Sequence, residues 1–214
     1  MSDTPALDAA TAALIGLAAA IAHGDEQSLA GQVESVREAE TPAEWVDELL
    51  LQSVLMVGWP RALGGAAIWR ALSGAPATPS AAEDIDYAGH PAWTTRGEAL
   101  CATIYGGNYP KLRENVRTIH PALDAWMVTE GYGRTLARPG LDPRRRELCV
   151  VAQIAVINAP RQLLSHLIGA LHVGATRADI DETLAIADGY MAEPVRAVAQ
   201  QVWSAVRAAR SAAP

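Results

Sequence analysis

One stretch constrains this chain more than any other part of its 214 residues. Asp142-Pro143 is typical of an N-cap followed by proline at the first helical position. Apolar residues then recur at helical spacing as far as Ile157. Asn158-Ala159-Pro160 ends that helix and starts a second one, which stops at Gly174. The stretch from Arg138 to Thr176 therefore predicts a hairpin of two antiparallel helices.

Similar helix-start signals recur along the whole chain. Thr41-Pro42, Thr176 with Asp179, and Pro194 each form a typical helix start. Alanine supplies much of the apolar content and phenylalanine is absent, while strong helix formers are common. No stretch shows the alternation of apolar and polar residues that is typical of a strand. The predicted fold class is all-α, a helical bundle.

The bulk composition excludes several classes of protein. Half the residues are apolar and 19% are charged, as in an ordinary globular protein. A net charge of −7 argues against nucleic acid or an anionic membrane as the main partner. The N-terminus lacks the positive region of a signal peptide, and the apolar run 12–22 is too short to span a bilayer. The two cysteines are far apart in sequence, which fits a reducing compartment, so a cytoplasmic location is expected.

A change of composition divides the chain into two halves. Residues 73–95 are rich in Pro, Ala, Gly, Ser and acids, as in a linker. The predicted organisation is a first half over 1–74, a linker over 75–95 and a larger domain over 96–214. Pro60-Arg61 recurs as Pro160-Arg161, which suggests an internal repeat with an offset of 100 residues.

This repeat register bears on which half could carry chemistry. It aligns Asp47 with Glu147 and Ala66 with His166. Asp47 and Glu147 are both acids near the start of a helix. The first half is therefore expected to lack the histidine and to serve as a degenerate structural copy.

Glu147 and His166 are the polar residues of the hairpin that are expected to face its interior. A histidine that titrates near neutral pH suits proton transfer. A lone histidine on an amphipathic helix is more often a structural residue with a satisfied hydrogen bond, and Glu147 could simply favour the helix dipole. From these residues alone, both readings stay open.

The second half, over about residues 97–207, resembles γ-carboxymuconolactone decarboxylase, within the family that also contains the AhpD-type alkylhydroperoxidase reductases. The first half resembles a degenerate second copy. The motifs that carry the resemblance are spread along the second half: Gly131-Tyr132-Gly133, Arg138-Pro139-Gly140-Leu141-Asp142, Arg144 to Leu148, Asn158, Leu163, His166, Ala170-Leu171, Gly174, Thr176, Asp179-Ile180 and Leu184.

The resemblance implies an α-helical domain that assembles into homo-oligomeric rings, so that three two-repeat chains would form a hexamer-like trimer. It also implies an enzyme in which the glutamate and histidine pair. Peroxidase-type members carry a Cys-x-x-Cys pair at positions that are Ala159 and Gln162 here, so dithiol chemistry is not expected. The acidic run that precedes the histidine in decarboxylases is also replaced, which leaves the substrate open.

The expected reaction is cofactor-independent acid–base chemistry on a small unsaturated carboxylate or lactone. His166 and Glu147 are the predicted catalytic residues. The predicted substrate-binding residues are side chains that can donate a hydrogen bond to a carboxylate: Arg138, Arg134, Arg161, His120 and Tyr132. No metal spacing and no nucleotide-binding loop is present. A cyclisation, dehydration or isomerisation in a biosynthetic pathway, or a non-catalytic helical assembly that binds a small molecule, remain as alternatives.

Overall fold

The computed structural model describes residues 6–79 and 85–211, without the side chains of residues 210 and 211, and all regular secondary structure in these residues is helical. Residues 80–84 of the predicted linker and the outermost residues of both predicted halves lie outside the described residues. The helices in chain order are α1 (Ala9–His23), α2 (Glu26–Glu38), α3 (Ala43–Ser73), α4 (His90–Tyr105), α5 (Tyr109–Ile119), α6 (Pro121–Trp126), a π-helix (Met127–Leu136), α7 (Pro143–Val156), α8 (Pro160–His172), α9 (Arg177–Asp188) and α10 (Glu193–Ser211). The all-α prediction is confirmed.

α3 contains a sharp kink. Gly58 has a φ of 76° and a ψ of 168°, which no helical residue adopts, and Pro60 follows two residues later. Glycine reaches this conformation without strain, and proline cannot supply the amide hydrogen of a continuous helix. α3 therefore consists of two arms, one before and one after Gly58.

The two halves of the chain share one hydrophobic core. α1 is apolar on nearly all sides and its residues 14–22 are buried. Residues 146–155 of α7 are buried as well, and α7 packs directly against α1. The apolar faces of α2, α3, α8, α9 and α10 cover this central pair.

Two tandem repeats are present, as predicted, but the predicted register is wrong. α1, α2 and the two arms of α3 correspond in order to α7, α8, α9 and α10. Asp8 and Asp142 are equivalent N-caps, each accepting from the backbone N–H three residues later. Glu40 and Gly174 occupy equivalent turns with positive φ angles of 51° and 97°. The structural offset is thus 134 residues, not 100.

A hydrogen bond joins equivalent positions of the two repeats. Nε of Arg145 donates to Oγ1 of Thr11 over 2.7 Å, and these residues are 134 positions apart. Contact between equivalent positions is typical of an approximate two-fold axis. The 100-residue register arose because proline begins many unrelated helices, so a shared Pro-Arg pair is weak evidence of equivalence.

The corrected register changes the counterparts of the two hairpin residues. Gln32 on α2 corresponds to His166, and Ala13 on α1 corresponds to Glu147. The first repeat thus lacks both groups, whereas the predicted register retained an acid, Asp47. Asp47 instead accepts a hydrogen bond from the backbone N–H of Thr78 and pairs with Arg70, which ties α3 to the segment that follows it.

α4 and the π-helix form a second layer beside the core. A Cβ at Gly97 would lie 2.1 Å from the Val128 carbonyl oxygen, and a Cβ at Gly133 would lie 2.0 Å from the Trp93 carbonyl oxygen. The two backbones therefore touch, and only glycine fits at the contact. A small cluster of Cys101, Ile104, Tyr132 and Leu136 fills the rest of this layer.

α4 begins at His90, so residues 90–95 of the predicted linker are helical. Pro91 lies in its first turn, and the fully buried Trp93 anchors that turn against the π-helix. α5 is a regular α-helix.

Candidate active site

Helix α7 places Glu147 inside the protein. Asp142 caps the helix by accepting a hydrogen bond from the N–H of Arg145 over 3.0 Å, and Pro143 occupies its first turn. These two residues fix where the helix starts and therefore which face each later residue takes. The Glu147 side chain is only 1% exposed and points towards α8.

His166 on α8 meets Glu147 as the hairpin predicted. Nδ1 of His166 lies 2.9 Å from Oε2 of Glu147, and both residues are buried. With Glu147 as a carboxylate, which can only accept, Nδ1 is the donor of this hydrogen bond and Nε2 is left as the second functional nitrogen of the ring. A buried acid and imidazole joined in this way can hold and move a proton.

Gly169 makes room for this pair. It lies one turn after His166 on α8, and a Cβ there would lie 2.9 Å from Oε2 of Glu147 and 2.6 Å from Cγ2 of Ile104. Both distances are shorter than real carbon contacts allow, so any larger residue would push the carboxylate aside.

Two tyrosines extend the site towards α4 and the π-helix. The Tyr105 ring lies edge-on to His166 with 6.5 Å between ring centroids. The hydroxyl of Tyr132 donates to that of Tyr105 over 3.3 Å, so the Tyr105 hydroxyl keeps its own hydrogen for another acceptor. Burial raises the pKa of Tyr105 to about 12 and that of Tyr132 well above its usual range. Both phenols are therefore neutral donors near pH 7.

Two of the arginines predicted to bind substrate lie in a different groove. Arg138 pairs with Glu48 over 3.0 Å, and Arg134 pairs with Glu130 over 3.2 Å and lies over the Trp93 ring. Both arginines line a groove of about 390 Å³ beside α3. The residues that line this groove include neither Glu147 nor His166.

The remaining predicted substrate residues are also dispersed, apart from Tyr132. Arg161 is exposed in the first turn of α8. His120 is exposed, and its Nδ1 accepts a hydrogen bond from the N–H of Ala122 over 3.0 Å, which makes it the N-cap of α6. Of the five predicted substrate-binding residues, only Tyr132 reaches the site, through Tyr105.

The cysteines do not form part of the site chemistry. Cys101 and Cys149 are buried and unpaired to each other, and burial raises the pKa of each thiol to about 12. Among the described residues, no three side chains of His, Cys, Asp and Glu are grouped to hold a metal ion. In the same residues, no helix has both the length and the apolar character to cross a bilayer.

The polar residues beside Tyr105 were not predicted from the sequence. Asn108, Lys111 and Asn115 lie at the α4–α5 junction and on α5, and together with Tyr105 they line a pocket of about 430 Å³ against α8. One signal was present in the sequence, since Lys111 is the single lysine among 17 basic residues. It was missed because an isolated lysine is usually a solvated surface residue.

Comparison with known proteins bears on both halves of the chain. A model of the carboxymuconolactone decarboxylase family matches residues 1–71 and 121–212. The two matched segments end in the second arm of α3 and in α10, which are equivalent elements of the two repeats. A search of curated proteins found no match.

Proposed function

The chain belongs to the carboxymuconolactone decarboxylase family, and from this we propose that it is a cofactor-independent enzyme that decarboxylates a small unsaturated carboxylate or lactone. The observation that carries the proposal is the buried contact of 2.9 Å between Nδ1 of His166 and Oε2 of Glu147. In this proposal His166 transfers the proton, and Glu147 holds the imidazole in position.

The proposed step uses only groups that the chain supplies. In a carboxylated unsaturated lactone, the bond to the carboxylate carbon breaks and CO₂ leaves. The electron pair of that bond passes into conjugation with the lactone carbonyl and forms a dienolate. Nε2–H of protonated His166 then delivers a proton to carbon, and water returns a proton to the imidazole. No electron is gained or lost by the protein in this sequence.

Tyr105 supports the proposal as a donor to the developing oxyanion. Its hydroxyl accepts from Tyr132 and keeps its own hydrogen, and its raised pKa keeps the phenol neutral. A neutral donor set in advance stabilises negative charge on oxygen without reorganisation of solvent. Tyr132 then acts by orienting the Tyr105 hydroxyl.

Replacing His166 with asparagine tests the assignment. We expect turnover of a carboxylated unsaturated lactone to fall by about 10²- to 10⁴-fold, the usual contribution of a general acid, while the circular dichroism spectrum stays unchanged. His90→Asn is the matched control, because His90 is exposed at the start of α4. Retained turnover in His166→Asn, with normal folding, would reject the assignment.

A second candidate is a proton-transfer reaction without loss of CO₂, such as an isomerisation, cyclisation or dehydration in a biosynthetic pathway. The residues just before the histidine helix favour it, since Ala159-Pro160-Arg161-Gln162 replaces the acidic run of the decarboxylases. Measuring CO₂ release alongside substrate loss separates the two. Substrate loss with no CO₂ would support the second candidate and refute decarboxylation.

A further inference from the structure

The pocket beside Tyr105 has the size and walls of a small-molecule site. It lies between the end of α4, the start of α5 and the outer face of α8, and its volume is about 430 Å³. Pockets that bind small ligands commonly span roughly 300–1,000 Å³. Leu164 and Ile168 of α8 and Leu112 of α5 supply apolar walls.

The polar groups of this pocket are suited to an anion. Lys111 supplies an ammonium group, and Asn108 and Asn115, three residues before it and four residues after it, supply carboxamides. None of the described lining residues is an aspartate or glutamate, although the protein carries a net charge of −7. No carboxylate in the pocket lining therefore competes with an anionic ligand for this ammonium group.

Tyr105 connects this pocket to the buried pair. Tyr105 is one of the lining residues, and its ring lies edge-on to His166. A ligand in the pocket would therefore lie beside the residue that carries the oxyanion role in the proposed reaction. The lining of the groove that holds Arg134 and Arg138 includes neither Tyr105 nor His166.

We propose that this pocket binds the substrate, and that the substrate is a compact conjugated carboxylate whose charged group lies on Lys111 and whose unsaturated part packs on Tyr105, Leu164 and Ile168. The assignment deepens the proposed function and rests on it for the identity of the ligand as a substrate. It replaces the predicted arginines with the one lysine of the chain as the cation that receives the carboxylate.

The single lysine allows a direct binding test. Reductive methylation with ¹³C-formaldehyde labels only Lys111 and the N-terminal amine, and the dimethylated lysine keeps its charge. We expect 2,4-hexadienoate to shift the Lys111 methyl signal, while its methyl ester, which has the same unsaturated part without the charge, leaves the signal in place. An equal shift with acid and ester, or no shift with either, would overturn the proposal.

Substitutions then measure the contribution of the ammonium group. We expect Lys111→Met to weaken 2,4-hexadienoate binding by about tenfold or more, the usual effect of removing a charge-assisted hydrogen bond, and Lys111→Arg to restore part of it. Arg37→Met is the matched control, because it removes one positive charge from the exposed surface of α2. Equal affinity of Lys111→Met and Arg37→Met would refute the role of Lys111.

The outcome for the pocket can be separated from that for catalysis. If His166→Asn binds 2,4-hexadienoate normally and Lys111→Met does not, the pocket is supported whatever happens to turnover. If His166→Asn abolishes turnover while Lys111→Met changes neither binding nor the Michaelis constant, the proposed function stands and the pocket assignment fails.

Discussion

Replacing Gly169 with alanine tests whether helix packing sets the contact between Glu147 and His166. The new methyl group would lie 2.9 Å from Oε2 of Glu147 and 2.6 Å from Cγ2 of Ile104. Neither neighbour has free space, because Glu147 is 1% exposed and Ile104 is 3% exposed. We therefore expect the carboxylate to move away from Nδ1 of His166.

The expected change in stability is the difference between two opposing effects. Alanine is favoured over glycine inside a helix by about 0.8–1.0 kcal/mol. Overpacking of a filled interior costs about 1–3 kcal/mol. Gly31→Ala on α2 is the matched control, because nothing lies within 4 Å of its added Cβ and only the favourable effect applies. Gly169→Ala should thus be less stable than Gly31→Ala by about 1–3 kcal/mol.

Urea unfolding followed by circular dichroism gives the free energy of unfolding of both variants. Nitrogen chemical shifts of the His166 ring report whether Nδ1 still donates to Glu147. We expect lower stability and a shifted Nδ1 signal in Gly169→Ala alone. If both variants are equally stable and the His166 signals are unchanged, the Glu147 carboxylate has space for a methyl group beside it. Helix packing at Gly169 then does not set the contact between Glu147 and His166.

Three further predictions address other parts of the molecule. Glu48→Gln removes the carboxylate that pairs with Arg146 over 2.6 Å, and the two side chains are only 5% and 2% exposed. We expect the free energy of unfolding, measured in urea, to fall by about 3–5 kcal/mol. A loss below about 1 kcal/mol would contradict the role of a buried ion pair. Burial raises the pKa of Tyr105 to about 12 from an ordinary value of about 10, so the unfolded chain releases that proton first. The free energy of unfolding should therefore fall between about pH 10 and 12, less steeply in Tyr105→Phe, and an identical slope in both proteins would refute the shift. We propose that copies of the chain associate as a homo-oligomer, a trimer of two-repeat chains, through the exposed apolar face of α3, where Trp59 is 65% and Leu63 is 59% exposed. Trp59→Glu should lower the mass measured by light scattering, and an unchanged oligomer would exclude this face.

The fold and the central pair could be predicted because their signals are local. Asp142 and Pro143 fix the start of α7 within one turn, and a fixed start decides which later residues face α8. A helical hairpin then leaves little freedom in which residues meet, so Glu147 and His166 were paired correctly. The family resemblance, which rested on these same motifs, is confirmed.

The repeat register could not be predicted because its signals were shared by unrelated helix starts. Pro60 and Pro160 both begin helical segments, but so does Pro194, which is the structural counterpart of Pro60. The register depends on the contact between Thr11 and Arg145, which are far apart in sequence. Such a contact leaves no periodic trace in the chain.

The sequence could not show where the arginines predicted to bind substrate would lie. Arginine was chosen by its chemistry, which suits a carboxylate whether that carboxylate belongs to a ligand or to the protein. In the structure Glu48 and Glu130 take that place for Arg138 and Arg134. The side chains next to Tyr105 come from α5, α8 and the junction before α5, so their grouping appears only in three dimensions.

The bond between Arg145 and Thr11 shows what fusion of the two repeats permits. In a dimer of identical single repeats, a residue beside the two-fold axis faces its own copy, so an arginine there would meet another arginine and the charges would repel. Covalent linkage lets the two positions evolve apart. Arg145 now meets the hydroxyl of Thr11 and, over 3.1 Å, the carboxylate of Asp8. The tandem chain can thus place an arginine opposite a threonine at equivalent positions, which a dimer of identical repeats cannot do.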